Sequence, residues 1–467
     1  MKSLTTLIFL LIIFTGNSLT QEFNSENLYN SYQNFKETDI RNKIFKHAEL
    51  KSKIKNIKKN KIFKVETAGK SLEGKEIFML SIGTGKTKVL LWSQMHGDET
   101  TATMALFDLF NFFENDKEFT EFKDQLLKKI KIYFIPMLNP DGAELYQRRN
   151  ELNIDLNRDA LRLEFPESKI LKAVRDSLKP KFAFNLHDQN TRYTSGNSYH
   201  SATISFLAPA FNYEKDINDV RGNTMKVIVN LFEELSKYIP GHIAKYKDDF
   251  EPRAFGDNFM KWGTGSILIE SGGWKNDEEK QFIRKLNFIS ILTGLNSIAN
   301  KIYENADINV YHNIPFNDNL LFDLLLRNLS VKHKNKNYTV DVGINRIEEY
   351  TKDQTQNYYV GKIEDWGDLS IFYGYDELDL SGYEIKPSKI YNIELNKLNE
   401  LDLNKLMKEG YGFVKVDTMN IKREFSSIPF NLVLSNVDVN VEPKYNGNAN
   451  FTIWKGKKLC YNVINGF

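Results

Sequence analysis

Cysteine is almost missing from this chain. Cys460 is the only one in 467 residues, so no intrachain disulfide can form and stability must come from the core and from any bound metal. An excess of one charge is missing too. The 63 Lys and Arg stand against 61 Asp and Glu, a formal net charge of +2, and nothing in that balance asks for a nucleic-acid partner. Long apolar runs are also absent. The most extended one, near the N-terminus, reaches only about 11 residues even when counted from Leu4, against the ~20 a spanning helix needs. Stable membrane insertion is therefore not expected. No internal repeat or low-complexity linker interrupts the chain. Histidine is scarce, with 7 in all, so the context of each one is informative.

Apolar content of 41% and aromatic content of 13% suffice for a packed core, and the length suits two domains. The N-terminal run has the layout of an export signal: Lys2 is the positive end, Leu7 to Phe14 the apolar stretch, and Gly16 to Thr20 a small, polar cleavage region. Cleavage near Thr20–Gln21 and a periplasmic or secreted product follow as expectations. The basic stretch Lys51 to Lys64 reads as a solvated face.

Residues 23–59 are polar with scattered apolar positions and read as short helices. From Phe63 the pattern changes. Lys88 to Gln94, Lys129 to Met137, Phe182 to His187 and Gly265 to Glu270 read as buried strands, separated by helical spacing over Thr100 to Phe113, Pro166 to Leu178 and Gly222 to Tyr238. Glu278 to Tyr303 reads as a long closing helix. This alternation predicts an α/β fold with a mixed, mostly parallel sheet and helices on both faces. After about Asn305 the runs become short and β-rich with turn residues between them, with one helix expected over Lys397 to Lys408. The organisation expected is a signal peptide (1–20), a catalytic domain (21–305) and a smaller β-rich C-terminal domain (306–467), a sandwich carrying no chemical motif.

The chemistry concentrates in the first 270 positions. His96 and Glu99 lie in "MHGDET" and His187 in "NLHDQ". Two imidazoles and a carboxylate are the ligand set of a catalytic zinc, one per chain, that leaves a position open for water. A strand end would aim His96 and the first helical turn Glu99. Glu270 in "ILIESGG", Arg148 in "YQRRN" and Asn157-Arg158 in "DLNRD" add the carboxylate and guanidinium groups that such a water needs. His47, His200, His242, His312 and His333 lack a comparable context. "GTGKT" at Gly83 to Thr87 fails as a phosphate loop, because Leu80 stands where the first glycine is needed and no helix follows; a hairpin turn is expected there. "PRAFGDNFMKWG" at Pro252 to Gly263 precedes Glu270 and has no assigned role.

The order "HGDE" (His96 to Glu99), "NPDG" (Asn139 to Gly142), "DLNR" (Asp155 to Arg158), "LH" (Leu186-His187) and "IE" (Ile269-Glu270) resembles the zinc carboxypeptidase family, over roughly residues 60 to 300. "GKSLEGKEIFMLSIG" (Gly69 to Gly83) resembles the hairpin that precedes its first zinc motif. The resemblance implies His96, Glu99 and His187 as zinc ligands, Asp155 as the carboxylate behind His96, and Glu270 as general base. It implies Arg148 as oxyanion stabiliser, with Arg149 as the alternative, and Asn157 and Arg158 as the pair holding a substrate carboxylate. Tyr246 is a candidate for the family's flanking tyrosine. Asp98 departs from the digestive-type pattern, which carries arginine there, and "HGDE" is closer to bacterial murein-peptide amidases of the same family. The function implied is an exported zinc carboxypeptidase acting on peptide or muropeptide amides. A zinc N-acyl amino acid deacylase and a catalytically silent peptide-binding relative are the alternatives.

Overall fold

The structure is a computed structural model that describes residues 23–351, 357–417 and 428–467. The expected signal peptide, residues 1–20, lies outside the described residues. Among the described residues, no helix is long and apolar enough to cross a membrane.

The chain opens with helices α1 (Ser25–Ser31) and α2 (His47–Asn60). α2 carries most of the basic stretch: Leu50, Ile54 and Ile57 are buried on one side, while Lys51, Lys55, Lys58 and Lys59 face solvent. The strands that follow are β1 (Lys64–Lys70), β2 (Glu76–Ile82), β3 (Thr87–Trp92), β4 (Ile130–Ile135), β5 (Phe182–Asp188), the two-residue β6 (Thr194–Ser195), β7 (Ile204–Leu207), β8 (Ile243–Lys245) and β9 (Gly265–Ser271). All but β6 form one eight-stranded sheet in the order β1-β2-β4-β3-β5-β9-β7-β8. Its centre, β4-β3-β5-β9, is parallel. The β1-β2-β4 flank and the β9-β7 pair are antiparallel, so the sheet is mixed and mostly parallel.

The central strands are apolar on both faces because both are covered. Along β3, Val89 and Leu91 enter one core, and Leu90 and Trp92 the other. The first core is covered by α3 (Thr101–Glu114), α4 (Thr120–Lys129), α7 (Asp219–Leu235) and α9 (Gln281–Asn300). The second is covered by α6 (Pro166–Leu178) and α8 (Phe255–Lys261), where Phe259 packs 4.6 Å from Trp92 between ring centroids. The one-turn α5 (Pro140–Glu144) sits at the site. α9 is shorter than its apolar pattern suggests. Lys280 and Lys301 both adopt left-handed backbone, each at φ +56°, and that geometry ends a helix.

"GTGKT" is not a hairpin turn. It carries the chain from β2 over the end of β4 to β3, with Thr84 N donating to Leu127 O at 2.8 Å. Gly85 lies flat on the Lys129–Ile130 backbone, where a Cβ would fall 2.0 Å from the Lys129 carbonyl carbon.

The C-terminal region is β-rich. Its strands are β10 (Asn317–Asp318), β11 (Leu321–His333), β12 (Lys336–Tyr350), β13 (Asn357–Gly367), β14 (Tyr373–Asp379), β15 (Glu384–Pro387), β16 (Lys389–Ile393), β17 (Tyr411–Val416), β18 (Asn431–Leu434), β19 (Phe451–Lys455) and β20 (Lys458–Val463). β10 pairs with β6. One seven-stranded sheet is built around β11–β13, and a separate three-stranded sheet, β16-β17-β18, is parallel. A parallel pair needs a crossover, and residues 394–410 supply it. The single helix expected over Lys397 to Lys408 is two pieces, a 3-10 turn (Leu395–Glu400) and a helix (Leu403–Glu409). Asp402 separates them, because its side chain caps the second by accepting from Lys405 N.

Candidate metal centre

The "HGDE" word occupies the connection between β3 and α3. His96 is four residues past the strand and Glu99 precedes the helix, so the loop rather than the regular elements aims both. Several bonds hold that loop. Gln94 sits at φ +45°, and its Nε2 donates to Gly97 O at 2.9 Å. Asn139 N donates to Gln94 O at 2.9 Å, and Asn139 Nδ2 to Met95 O at 3.2 Å. Gly97 packs on Gly142, where a Cβ would lie 2.0 Å from the Gly142 carbonyl carbon, and a Cβ on Gly142 would in turn lie 2.7 Å from Arg149 O, so each word needs its glycine. "NPDG" is thus the seat of "HGDE": Asn139 Oδ1 caps α5 by accepting from Gly142 N. Asp141 accepts from Ser71 Oγ at 2.9 Å and Lys75 Nζ at 2.8 Å, which docks the β1–β2 hairpin.

The ligand atoms converge. His96 Nδ1 is 2.7 Å from Glu99 Oε1, His187 Nδ1 is 2.6 Å from Glu99 Oε2, and the two Nδ1 atoms are 3.2 Å apart. His96, Glu99 and His187 are all buried, and their ligand atoms lie within 4.8 Å of one another. His96 Nε2 faces Asp155 Oδ1 at 3.1 Å, the carboxylate support that fixes an imidazole with Nδ1 free for metal. Burial pushes the Glu99 carboxyl up, but His96 and His187 outweigh it and hold it well below the usual range. Burial also lowers His187, against the pull of Glu99. Two nitrogens aimed at one carboxylate form a set able to hold a divalent cation.

Glu270 arrives from β9. It is the register partner of His187 on the parallel neighbour β5, so the two side chains project from the same face of the sheet. Its carboxyl is raised well above the ordinary value by burial, with Glu99 and Asp188 adding to the rise and Arg148 opposing it. Arg148 faces the site and Arg149 does not. Arg148 donates to Glu99 Oε1 at 3.1 Å and to Asp155 Oδ2 from Nε and Nη2 at 3.2 and 3.0 Å, with its side chain still 43% exposed. Arg149 donates to Asn153 O on the surface.

Asn157 and Arg158 form a 3-10 turn capped by Asp155. Asn157 Oδ1 accepts from Phe255 N at 2.9 Å, which gives the unassigned "PRAFGDNFMKWG" segment a role: it supports Asn157. Arg158 is 38% exposed and lies 3.4 Å from Glu251 through Nε. Asp159 is occupied by Glu164 N and Phe165 N. Tyr246 follows β8, with its N–H held by Phe206 O at 2.9 Å. Burial raises its phenol, and Glu270, Glu99 and Arg148 all act on it electrostatically.

Residue patterns alone miss the acidic surroundings. Burial pushes Asp98 up to about 6 and Asp188 up to about 7. Asp188 accepts from Thr101 Oγ1 at 2.5 Å and lies near the buried Lys280. Position next to His187 is the only sequence signal Asp188 offers, and the departure of Asp98 from the digestive-type pattern does not show its burial.

Residues 51–203 match the sequence model of the zinc carboxypeptidase family. Carboxypeptidase D of Drosophila melanogaster is 34% identical over 115 residues, 21% of this chain and 8% of that protein. Carboxypeptidase M of Mus musculus is 30% identical over 132 residues, 24% of this chain and 28% of that protein. The chain thus spans less than a third of either relative. A metallo-carboxypeptidase from Burkholderia cenocepacia aligns at a TM-score of 0.45 and 16% identity, over 56% of this chain and 70% of that one. The matched family span includes His96, Glu99, Arg148, Asn157, Arg158 and His187. Glu270 lies beyond it, brought to the site by strand register.

Proposed function

We propose that this chain, whose residues 51–203 match the sequence model of the zinc carboxypeptidase family, is an exported zinc-dependent carboxypeptidase-like hydrolase of peptide amides, with cell-wall peptides as a substrate class to be tried. The carrying observation is the convergence of His96 Nδ1, His187 Nδ1 and the Glu99 carboxylate one strand away from Glu270.

In this reading His96, Glu99 and His187 hold one zinc ion. When bound, the metal would supply Lewis acidity to a water and to the scissile carbonyl. Asp155 keeps His96 oriented. Glu270 takes the proton from the attacking water and passes it to the leaving amine. Arg148 donates hydrogen bonds to the oxygen that becomes negative on the attacked carbonyl. Arg158 and Asn157 anchor a free carboxylate, and the Arg158 fork must exchange Glu251 for it. Export rests on the N-terminal apolar run.

The test is incubation of zinc-loaded, full-length protein with peptides, their amidated counterparts and muropeptides, read by mass spectrometry. Release of single C-terminal amino acids from free-acid peptides is expected, with turnover in Glu270→Gln lower by at least ~10²-fold while zinc stays bound. Equal cleavage of amidated peptides would remove the carboxylate anchor. Release of an acyl group alone would favour deacylation.

A further inference from the structure

Strand β12 runs beyond its pairing with β11, stays paired with β13 to its last residue and ends beside the candidate metal centre. Its last residue, Tyr350, sets its ring edge-on to Tyr146, with centroids 4.9 Å apart and planes at 65°. The Tyr350 hydroxyl is hydrogen-bonded to Tyr146 and to Glu348. Glu348 lies two residues earlier on the same strand face and pairs with Lys43 Nζ at 2.7 Å. Lys43 Nζ also donates to Glu278 O at 2.8 Å, and its carbonyl accepts from Thr100 Oγ1 at 2.5 Å. One strand end therefore reaches both walls of the site. It touches the segment after α5 through Tyr146, and the residue following Glu99 through Lys43.

Tyr146 needs such support. It sits at φ +44°, a left-handed conformation that a side chain of this size adopts only when its surroundings over-determine it. Within its own loop it has the Tyr146 N to Ala143 O bond at 3.2 Å. Two residues on is Arg148, whose half-open guanidinium belongs to a loop rather than to a strand or helix. A donor aimed at a developing charge works only within a narrow geometry.

We infer that Tyr350 is a positioning residue: by bracing Tyr146 it fixes the segment that presents Arg148 to the substrate carbonyl, which makes the C-terminal sheet part of the site's support. The inference rests on the hydrolase reading for its kinetic arm and is independent of it for its structural arm.

The experiment uses full-length, zinc-loaded protein and an N-blocked dipeptide with a free carboxylate. Tyr350→Ala is expected to lower kcat by ~10-fold with KM within about twofold, because an oxyanion donor acts in the transition state. Tyr350→Phe keeps the ring contact and should recover most of that loss. On an Arg148→Ala background, Tyr350→Ala should add little. Amide hydrogen exchange over residues 144–150 should rise in Tyr350→Ala. Tyr350→Leu carries the same readings if the alanine variant does not fold. Unchanged kcat, a loss confined to KM, or multiplicative effects with Arg148→Ala would overturn the assignment. Unchanged exchange over 144–150 would overturn it even for an inactive wild type, whereas raised exchange without any turnover would sustain the brace and defeat the hydrolase reading.

Discussion

At Asp257 a single carboxyl couples the site to pH. It sits on α8 close to the Asn157–Arg158 turn, and its Oδ1 accepts from Glu251 N at 2.9 Å. Burial pushes it up to about 7, against the lowering effect of its backbone hydrogen bonds. In the unfolded chain an aspartate titrates near ~3.9. Between those values the folded state binds more protons than the unfolded one, so stability falls as pH rises through the window, and the loss is complete above the folded value. Asp257→Asn removes that loss and keeps an acceptor for Glu251 N. Its melting temperature should exceed that of the wild type at about pH 8, and the difference should shrink towards about pH 4. A difference of the same size at both ends would mean that the Asp257 carboxyl ionises as in water.

At the scale of elements, one buried ion pair ties three segments together. Arg284 on α9 donates through Nε to Asp108 Oδ2 on α3 at 2.7 Å, and a second contact joins Nη2 to Oδ1. The same guanidinium donates to Ile40 O at 2.7 Å and Glu37 O at 3.0 Å. Asp108 also accepts from Tyr32 OH and Glu37 N, each at 2.7 Å. The N-terminal segment is thereby clamped over the helices covering one face of the sheet. Both charged side chains are fully buried, so removing one leaves the other unpaired. Arg284→Leu should lower stability by ~3–5 kcal/mol in denaturant unfolding, and Asp108→Leu added to it should restore part of that. A double variant as weak as the sum of both singles would show that the two side chains act independently.

At the scale of the whole molecule, the C-terminal strands meet the connections that follow β5 and β9 through polar contacts. Arg192 pairs with Asp323 at 2.7 Å, Lys275 with Asp376 at 2.8 Å, and Tyr375 OH donates to Thr191 O at 2.6 Å. With no intrachain disulfide to stiffen it, a chain that binds zinc as proposed should draw stability from it. A ligand that binds only the folded state at about 1,000 times its Kd adds ~4 kcal/mol. Zinc should therefore raise the melting temperature of the wild type, and a chelator should reverse the rise. His187→Ala should lose the response. A wild-type melting curve indifferent to zinc would sink the ligand assignment.

What the sequence by itself determined is what short segments decide. Buried strands such as Phe182–Asp188 and Gly265–Ser271 are legible from their apolar stretches, because a strand covered on both faces does not alternate with polar residues. The start of α6 is legible from Pro166, and the words "HGDE", "NPDG" and "DLNR" mark in order the His96–Glu99 pair, the turn it packs on and the Asp155 that faces His96. The tertiary structure decided what depends on partners far along the chain. It turned Arg148 inward and left Arg149 outside, because Glu99 and Asp155 meet only the first. Register between β5 and β9 set Glu270 beside His187, 83 positions away in sequence by subtraction (270 − 187). The parallel β16-β17-β18 sheet could not be read from a succession of β-rich runs, since strand direction is fixed by what each strand packs against. Nor could the approach of Tyr350 to Tyr146, which exists only because folding brings the end of β12 to the loop that bears Arg148.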